Sequence, residues 1–467
     1  VGEVTLVPAE GGAESILGEF SGMTQGNLKV PPRHLGWTPD SRYLMIAGRE
    51  SPEGPLRLFR VDSKDGTRVP VMEPQSGILG DSGPAVSPDG KTLAFHRFRA
   101  MGSGGIYTVG LDEAYLARGA VRTLVSGNFA ASPVWLNNRE LAFYGYRLGE
   151  MQIFRVPADG SSEAVPILGG LQGMELSYSI AQQRLAFKRN DVDDDIWRLP
   201  LQGDGVAAGP AAAWILSSRQ EAVPEYSPDE TLVAFISNRA GYPNVWICER
   251  NGSHPRQLTR LAGSITGPMS WSPDGKWITF ASNAEGSGDV YVIAADGTAG
   301  PRRLTQDPPD DVRASWSKDG KWIYFGSNRT GRYEVWKIAP EGGQAVQVTT
   351  TGGSSPLESP DGRWLYYAGD DQYETVLWRR PAAGGATEKV VERLNLWYSV
   401  GRSAIYYFGR KGKEVRYWDA VTRQDRLLAE MPAGTGLGIT AAPDGRELAI
   451  SPTNSRGGGI LMIERFR

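Results

Sequence analysis

The sequence predicts an all-β protein, a β-propeller built from about ten four-stranded antiparallel blades, and three observations carry that expectation. A unit recurs ten times with a period in the forties, each copy holds a Ser-Pro-Asp-Gly-like turn between two short strands, and no segment has the 3.6-residue periodicity of a long amphipathic helix.

The repeat is clearest in Trp271-Ser272-Pro273-Asp274-Gly275-Lys276-Trp277-Ile278-Thr279-Phe280 and Trp316-Ser317-Lys318-Asp319-Gly320-Lys321-Trp322-Ile323-Tyr324-Phe325, which begin 45 residues apart. Aligning every copy on the residue before the turn gives Trp37, Val86, Trp135, Tyr178, Tyr226, Trp271, Trp316, Glu358, Tyr398 and Ala441, in steps of 40 to 49 residues. A period of that length with four short strands per copy belongs to a propeller blade rather than to a helical solenoid.

Each blade reads in the same order. An extended inner strand ends at the anchor residue. In the turn, proline presets φ, aspartate bonds local backbone and glycine takes the position that closes the bend. A short aliphatic-aromatic strand follows, then a third such as Asp289-Val290-Tyr291-Val292-Ile293 or Glu334-Val335-Trp336-Lys337-Ile338. A second turn, at Asp296-Gly297 or Gly342-Gly343, leads to the outermost strand.

Composition sets limits on function. The 59 glycines and 31 prolines of the 467 residues sit at turns, and 40% of the chain is hydrophobic, enough for a large core. A net charge of −3 provides no basic field for nucleic acid, which is not an expected partner. The single cysteine, Cys248, lies in a strand and reads as a core residue, and no internal disulfide can form. No run of about 18 apolar residues exists, so no membrane span is expected in this chain. The chain opens on Val1 directly in a strand-like stretch, and it is expected to be a piece of a longer protein whose targeting segment or membrane tether lies upstream.

These repeats resemble the TolB-like family of WD40-like propellers over nearly the whole chain. The family's W-S-P-D-G-[KR]-x-[IL]-x-F core stands at 271–280, with variants at 37–46, 86–95, 226–235, 316–325 and 358–367, and Ser237-Asn238-Arg239 and Ser327-Asn328-Arg329 match its next step. Within the family the texture is most similar to the extracytoplasmic propeller regions of bacterial membrane-anchored regulators. That resemblance implies a periplasmic or extracytoplasmic location. Since the family usually closes six blades, ten anchors imply either tandem or interrupted rings, or one large ring. The expected division is 1–215, a partial blade plus four, and 216–467, a six-blade propeller, with the Gly-, Ala- and Pro-rich stretch from Leu201 to Trp214 as the candidate boundary.

Strand alternation suggests which residues face a central channel. Positions one, three and five before each anchor should point the same way, which places His34, Asp81, Glu175, Glu221, Glu225, Asp311, Arg313, Asn395 and Trp397 at a channel mouth as candidate ligand-binding residues. Glu175, Glu225 and His34 are candidate ligands for a divalent cation, carboxylates favouring calcium or magnesium and the imidazole allowing zinc. Arg313 suits an anionic ligand. Asp191-Val192-Asp193-Asp194-Asp195 begins like a calcium loop but lacks its glycine and its bidentate glutamate, and reads as a solvated acidic loop.

No G-x-S-x-G elbow, H-E-x-x-H helix or phosphate-binding glycine loop is present. The expected function is a ligand- or protein-binding module, a sensory or scaffold ectodomain of a bacterial envelope protein taking a protein, peptide or small anionic ligand. The alternative is a metal-dependent phosphoester or lactone hydrolase with its site in the channel.

Overall fold

The computed structural model describes residues 2–7, 14–20, 35–50, 55–73, 78, 80–100, 103–126, 130–147, 150–167, 173–192, 194–202, 206–217, 219–240, 242–261, 265, 267–285, 287–307, 309–369, 374–409, 413–431, 436–452 and 455–466. Among these, strands form nine four-stranded antiparallel sheets, one of three strands and one hairpin. All ten anchors lie on the inner strand of a separate sheet.

The recurring turn is held by its own side chains. In Ser272-Pro273-Asp274-Gly275, the Ser272 hydroxyl donates to Asp274 (2.6 Å) and accepts from the Trp277 amide (2.9 Å), while Gly275 takes φ +70°. The same hydroxyl-to-carboxylate bond joins Thr38 to Asp40, Ser87 to Asp89, Ser227 to Asp229, Ser317 to Asp319 and Ser359 to Asp361, at 2.6–2.7 Å. The hydroxyl bond, together with the backbone amide two residues on, holds each of these aspartates below the usual carboxylate range, Asp361 at about 2.

The chain divides into two compact units, one of 1–190 with 458–467, the other of 191–457. Residues 191–215, expected with the first blades, therefore belong to the second unit, and 458–467 to the first. In the first unit, inner strands Leu35–Trp37, Gly80–Val86, Ala130–Asn137 and Met174–Ser179 pack in chain order. Met174–Ser179 belongs to a sheet completed by Arg184–Val192 and Ser455–Ile463, and Phe466 is buried with Met174, Leu176 and Phe187.

The second unit closes on itself as a ring of six blades. Inner strand Glu221–Tyr226 packs on Ser270–Trp271, and the sequence continues through Asp311–Trp316, Ser354–Glu358, Tyr398–Val400 and Ile439–Ala441 back to Glu221–Tyr226. The sixth blade is shared between distant parts of the chain. Ile439–Ala441 and Glu447–Ile450 supply its inner strands, and Ile196–Pro200 and Ala212–Ile215 its outer ones. Such a sheet removes the free edge that an open array would leave. Its core unites Ile196, Ile215, Tyr226, Phe235, Ala442 and Ala449.

Six inner strands share a departure from regular pairing. The register slips between Ser82 and Ala85, Ala131 and Val134, Met174 and Ser177, Ala222 and Glu225, Val312 and Ser315, and Ser354 and Leu357. Inside each slip one residue takes a left-handed φ of 48–61°: Gly83, Ser132, Glu175, Val223, Arg313 or Ser355. Each is a β-bulge, and a bulge inverts the alternation of side chains beyond it. Glu225 stands opposite Ala234 but Glu221 opposite Ser237, so two residues four apart lie on opposite faces.

Candidate functional site

The bulges separate the carboxylates that simple alternation had grouped. Beyond the bulge, Asp81, Glu221 and Asp311 are buried within their own blades against an arginine from the end of the second strand. Arg97 makes a two-pronged pair with Asp81 (2.7 and 2.8 Å), Arg239 reaches Glu221 (2.9 Å), and Arg329 spans both oxygens of Asp311 (3.0 and 2.9 Å). Each guanidinium also lies over two aromatic rings, Phe95 and Tyr107, Phe235 and Trp246, or Phe325 and Trp336. Burial pushes the Asp81 and Asp311 carboxyls up although each has its arginine.

The Ser-Asn-Arg step is thereby explained. Ser237 donates to Glu221 (2.8 Å), Asn238 accepts from the Gln220 amide (3.0 Å), and Arg239 neutralises the charge. Asn328 and Arg329 repeat the arrangement around Asp310 and Asp311. These partners were legible only as a motif; the carboxylate each arginine serves lies 18 residues earlier in these two blades.

On the other side of the bulge, the inner strands of the second unit surround a cavity of about 690 Å³ to which all six blades contribute. Adjacent strands are tied around it by hydrogen bonds. The Trp271 indole donates to the Glu225 carbonyl (3.1 Å), Ser270 accepts from the Trp316 amide (3.1 Å), and Ser315 donates to the Pro356 carbonyl (2.5 Å). Tyr398 donates to the Ser355 carbonyl (2.5 Å), Ser399 accepts from the Ala441 amide (3.0 Å), and Thr440 donates to the Glu225 carboxylate (2.7 Å). The small residues before the anchors thus link blade to blade as well as leaving the channel open.

Glu225 is the exceptional group. It lines the cavity and is half-buried, and burial pushes its carboxyl up to about 7, a shift the Thr440 hydrogen bond and the Lys318 charge only partly offset. Glu358 also lines the cavity, where each of its oxygens has a protein donor, the Lys318 amide (2.6 Å) and the Tyr324 hydroxyl (2.9 Å).

The remaining predicted positions are distributed as follows. Trp397 lines the cavity, and the Arg313 guanidinium lies 5.4 Å from its ring centre. Asn395 is buried, and its side-chain oxygen accepts from the Trp397 amide (3.2 Å). Glu175 belongs to the first unit, where Lys188 approaches it at 3.5 Å, so it and Glu225 are on different units. His34 lies outside the described residues. Among the described residues no group of three or more His, Cys, Asp and Glu side chains is placed to hold a metal ion.

Two further groups have clear roles. Cys248 is buried and its thiol is raised to about 12, leaving it un-ionised at neutral pH. Asp194, expected in a solvated loop, is instead buried and accepts from the Gln220 side chain (2.8 Å), with Asp193 outside the described residues.

A closed ring of four-stranded blades around a polar, aromatic-walled channel defines a β-propeller module. Residues 207–393 match the family model described as the TolB beta propeller domain. No curated protein sequence matches it. Solved structures to which it is similar include the nidogen/laminin complex, with 13% identity over 55% of this chain and 97% of that one (TM-score 0.46). TolB from Acinetobacter baumannii is 17% identical over 76% of this chain and 64% of its own (0.31). A putative TolB from Agrobacterium tumefaciens is 18% identical over 72% and 94% (0.31). No helix among the described residues is long and apolar enough to cross a membrane.

Proposed function

We propose that the chain is a binding module whose ligand, a peptide or the end of a protein partner, enters the channel of the second unit. The observation that carries this reading is the cavity itself. Six blades line it with hydroxyls, three tryptophans and the carboxylates of Glu225, Glu358 and Asp444, an arrangement suited to holding a ligand with few fixed polar contacts. The resemblance to TolB-like ectodomains supports an extracytoplasmic setting and a protein or peptide partner.

The binding reading is tested by native mass spectrometry with a pool of tripeptides against the full chain and a Leu357→Trp variant. Leu357 lines the cavity and is half-buried, so the larger ring occupies channel space without removing a hydrogen bond. Adducts on the wild type that disappear from Leu357→Trp support the channel; adducts equally abundant on both, or absent from both, overturn it.

A further inference from the structure

We infer that Glu225 is the recognition point for a primary ammonium group, the free amino terminus of an extended peptide, within the channel. This inference rests on the channel-binding reading above and specifies its chemistry.

A carboxylate withdrawn from water is costly unless a cation or several donors compensate it. Asp81, Glu221 and Asp311 each receive an arginine, and Asp289 receives Arg303 at 2.7 Å. Glu225 receives one hydroxyl. Thr440 binds one carboxylate oxygen, and among the described residues no lysine or arginine stands within ion-pair distance of either. The fold thus supplies an internal cation to each of these blade carboxylates and, among the described residues, none to Glu225, whereas Glu358 on the same cavity, also without a cation, is compensated by two donors, the Lys318 amide and the Tyr324 hydroxyl.

The surroundings select the kind of cation. A divalent metal needs several oxygen ligands, and of the two other carboxylates lining this cavity, Glu358 accepts from the Lys318 amide and the Tyr324 hydroxyl while Asp444 is paired with Arg250. A primary ammonium has three donors. Glu225 takes one, and the hydroxyl oxygens of Thr440 and Ser270, on the two flanking inner strands and lining the same cavity, are acceptors for the others. The Trp271 indole, fixed beside Glu225 through its bond to the Glu225 carbonyl, provides an aromatic neighbour of the type that favours organic cations.

A peptide adds carbonyl acceptors behind its ammonium. Ser355, 4% exposed and at the cavity wall, carries a hydroxyl with no protein partner among the described residues. A buried donor left in that state is stabilised by an acceptor brought in by a ligand. The raised Glu225 carboxyl adds a signature: the ammonium binds the ionised form, so its binding releases a proton when the pH is below the neutral range.

The test is calorimetric titration of the full chain with trialanine and with N-acetyl-trialanine, which differ only in the charged amine. The expected result is binding of trialanine, at least ~tenfold weaker binding of the acetylated peptide, and loss of that difference in Glu225→Gln, which keeps the shape and the Thr440 contact. Trialanine affinity should fall by about tenfold per pH unit below about pH 7 in the wild type and stay level in Glu225→Gln. Equal binding of both peptides, a difference that survives Glu225→Gln, or binding of neither overturns the ammonium assignment. Equal binding that is lost in Leu357→Trp overturns the assignment while leaving the channel reading intact; binding unaffected by Leu357→Trp removes the channel reading itself.

Discussion

The Thr440 hydroxyl donates to the Glu225 carboxylate at 2.7 Å across 215 residues of sequence, joining the last inner strand of the six-bladed ring to the first. The contact serves as a seam bond and as a constraint on Glu225, a cavity carboxylate that has no lysine or arginine within ion-pair distance among the described residues. Near it the Val223 amide donates to Ser451 (3.3 Å) and Tyr226 donates to Glu447 (3.0 Å), so the seam is closed by polar contacts at three levels.

Thr440→Val keeps the shape and removes the donor. It should destabilise the second unit by about 1–2 kcal/mol and raise the Glu225 carboxyl further, because a hydrogen bond that favours the charged form is lost. Urea denaturation at several pH values measures both effects. An unchanged midpoint would show that the seam is held by the apolar sixth-blade core alone.

Glu225→Gln should make stability less dependent on pH. The Glu225 carboxyl lies at about 7 in the folded protein against an ordinary 4.5. Below the ordinary value it is protonated in both folded and unfolded states and contributes nothing. Between the two, the folded state retains a proton that the unfolded chain releases, so wild-type stability falls as pH rises. Above about 7 the full cost is present, no more than about 3 kcal/mol and less where water reaches the carboxylate. The variant should therefore match the wild type in acid and exceed it at alkaline pH; thermal melts across that range decide.

Ser355→Gly should stabilise the protein. Serine there is held at φ +50° with a buried hydroxyl that has no partner among the described residues, and glycine removes both penalties. After subtracting the greater flexibility of glycine in the unfolded chain, a gain of about 0.5–1 kcal/mol is expected. Chemical denaturation measures it, and a loss of stability would show that the hydroxyl has a role in the folded protein alone.

Arg329→Met should cost about 3–5 kcal/mol, since it leaves Asp311 buried without its cation. Combining it with Asp311→Leu should recover most of that loss, because the uncompensated charge is then gone. A double-mutant cycle followed by urea denaturation distinguishes this coupling from independent contributions of the two residues.

Much of the blade was legible before any coordinates. The Ser-Pro-Asp-Gly turns, the ten inner strands and the Trp and Tyr anchors follow from local chemistry: a hydroxyl and a carboxylate two residues apart close the turn, and a large ring suits the space between sheets. The site was only partly legible. Glu225 and Trp397 line the cavity, but Asp81, Glu221 and Asp311, derived from the same alternation rule, serve arginines inside their blades.

The sequence by itself determined the repeat, the turn chemistry and the character of the residues available near the channel, because each depends on contacts only a few residues apart. Tertiary structure decided which of those residues share a space. An inner-strand bulge with a left-handed residue reversed the faces of Glu221 and Glu225, and strands Ile196–Pro200 and Ala212–Ile215 joined Glu447–Ile450 to close the ring. Both outcomes depend on pairing with partners remote in the chain, and valine, arginine, serine or glutamate at the bulge gives no local sign that the backbone will turn left-handed.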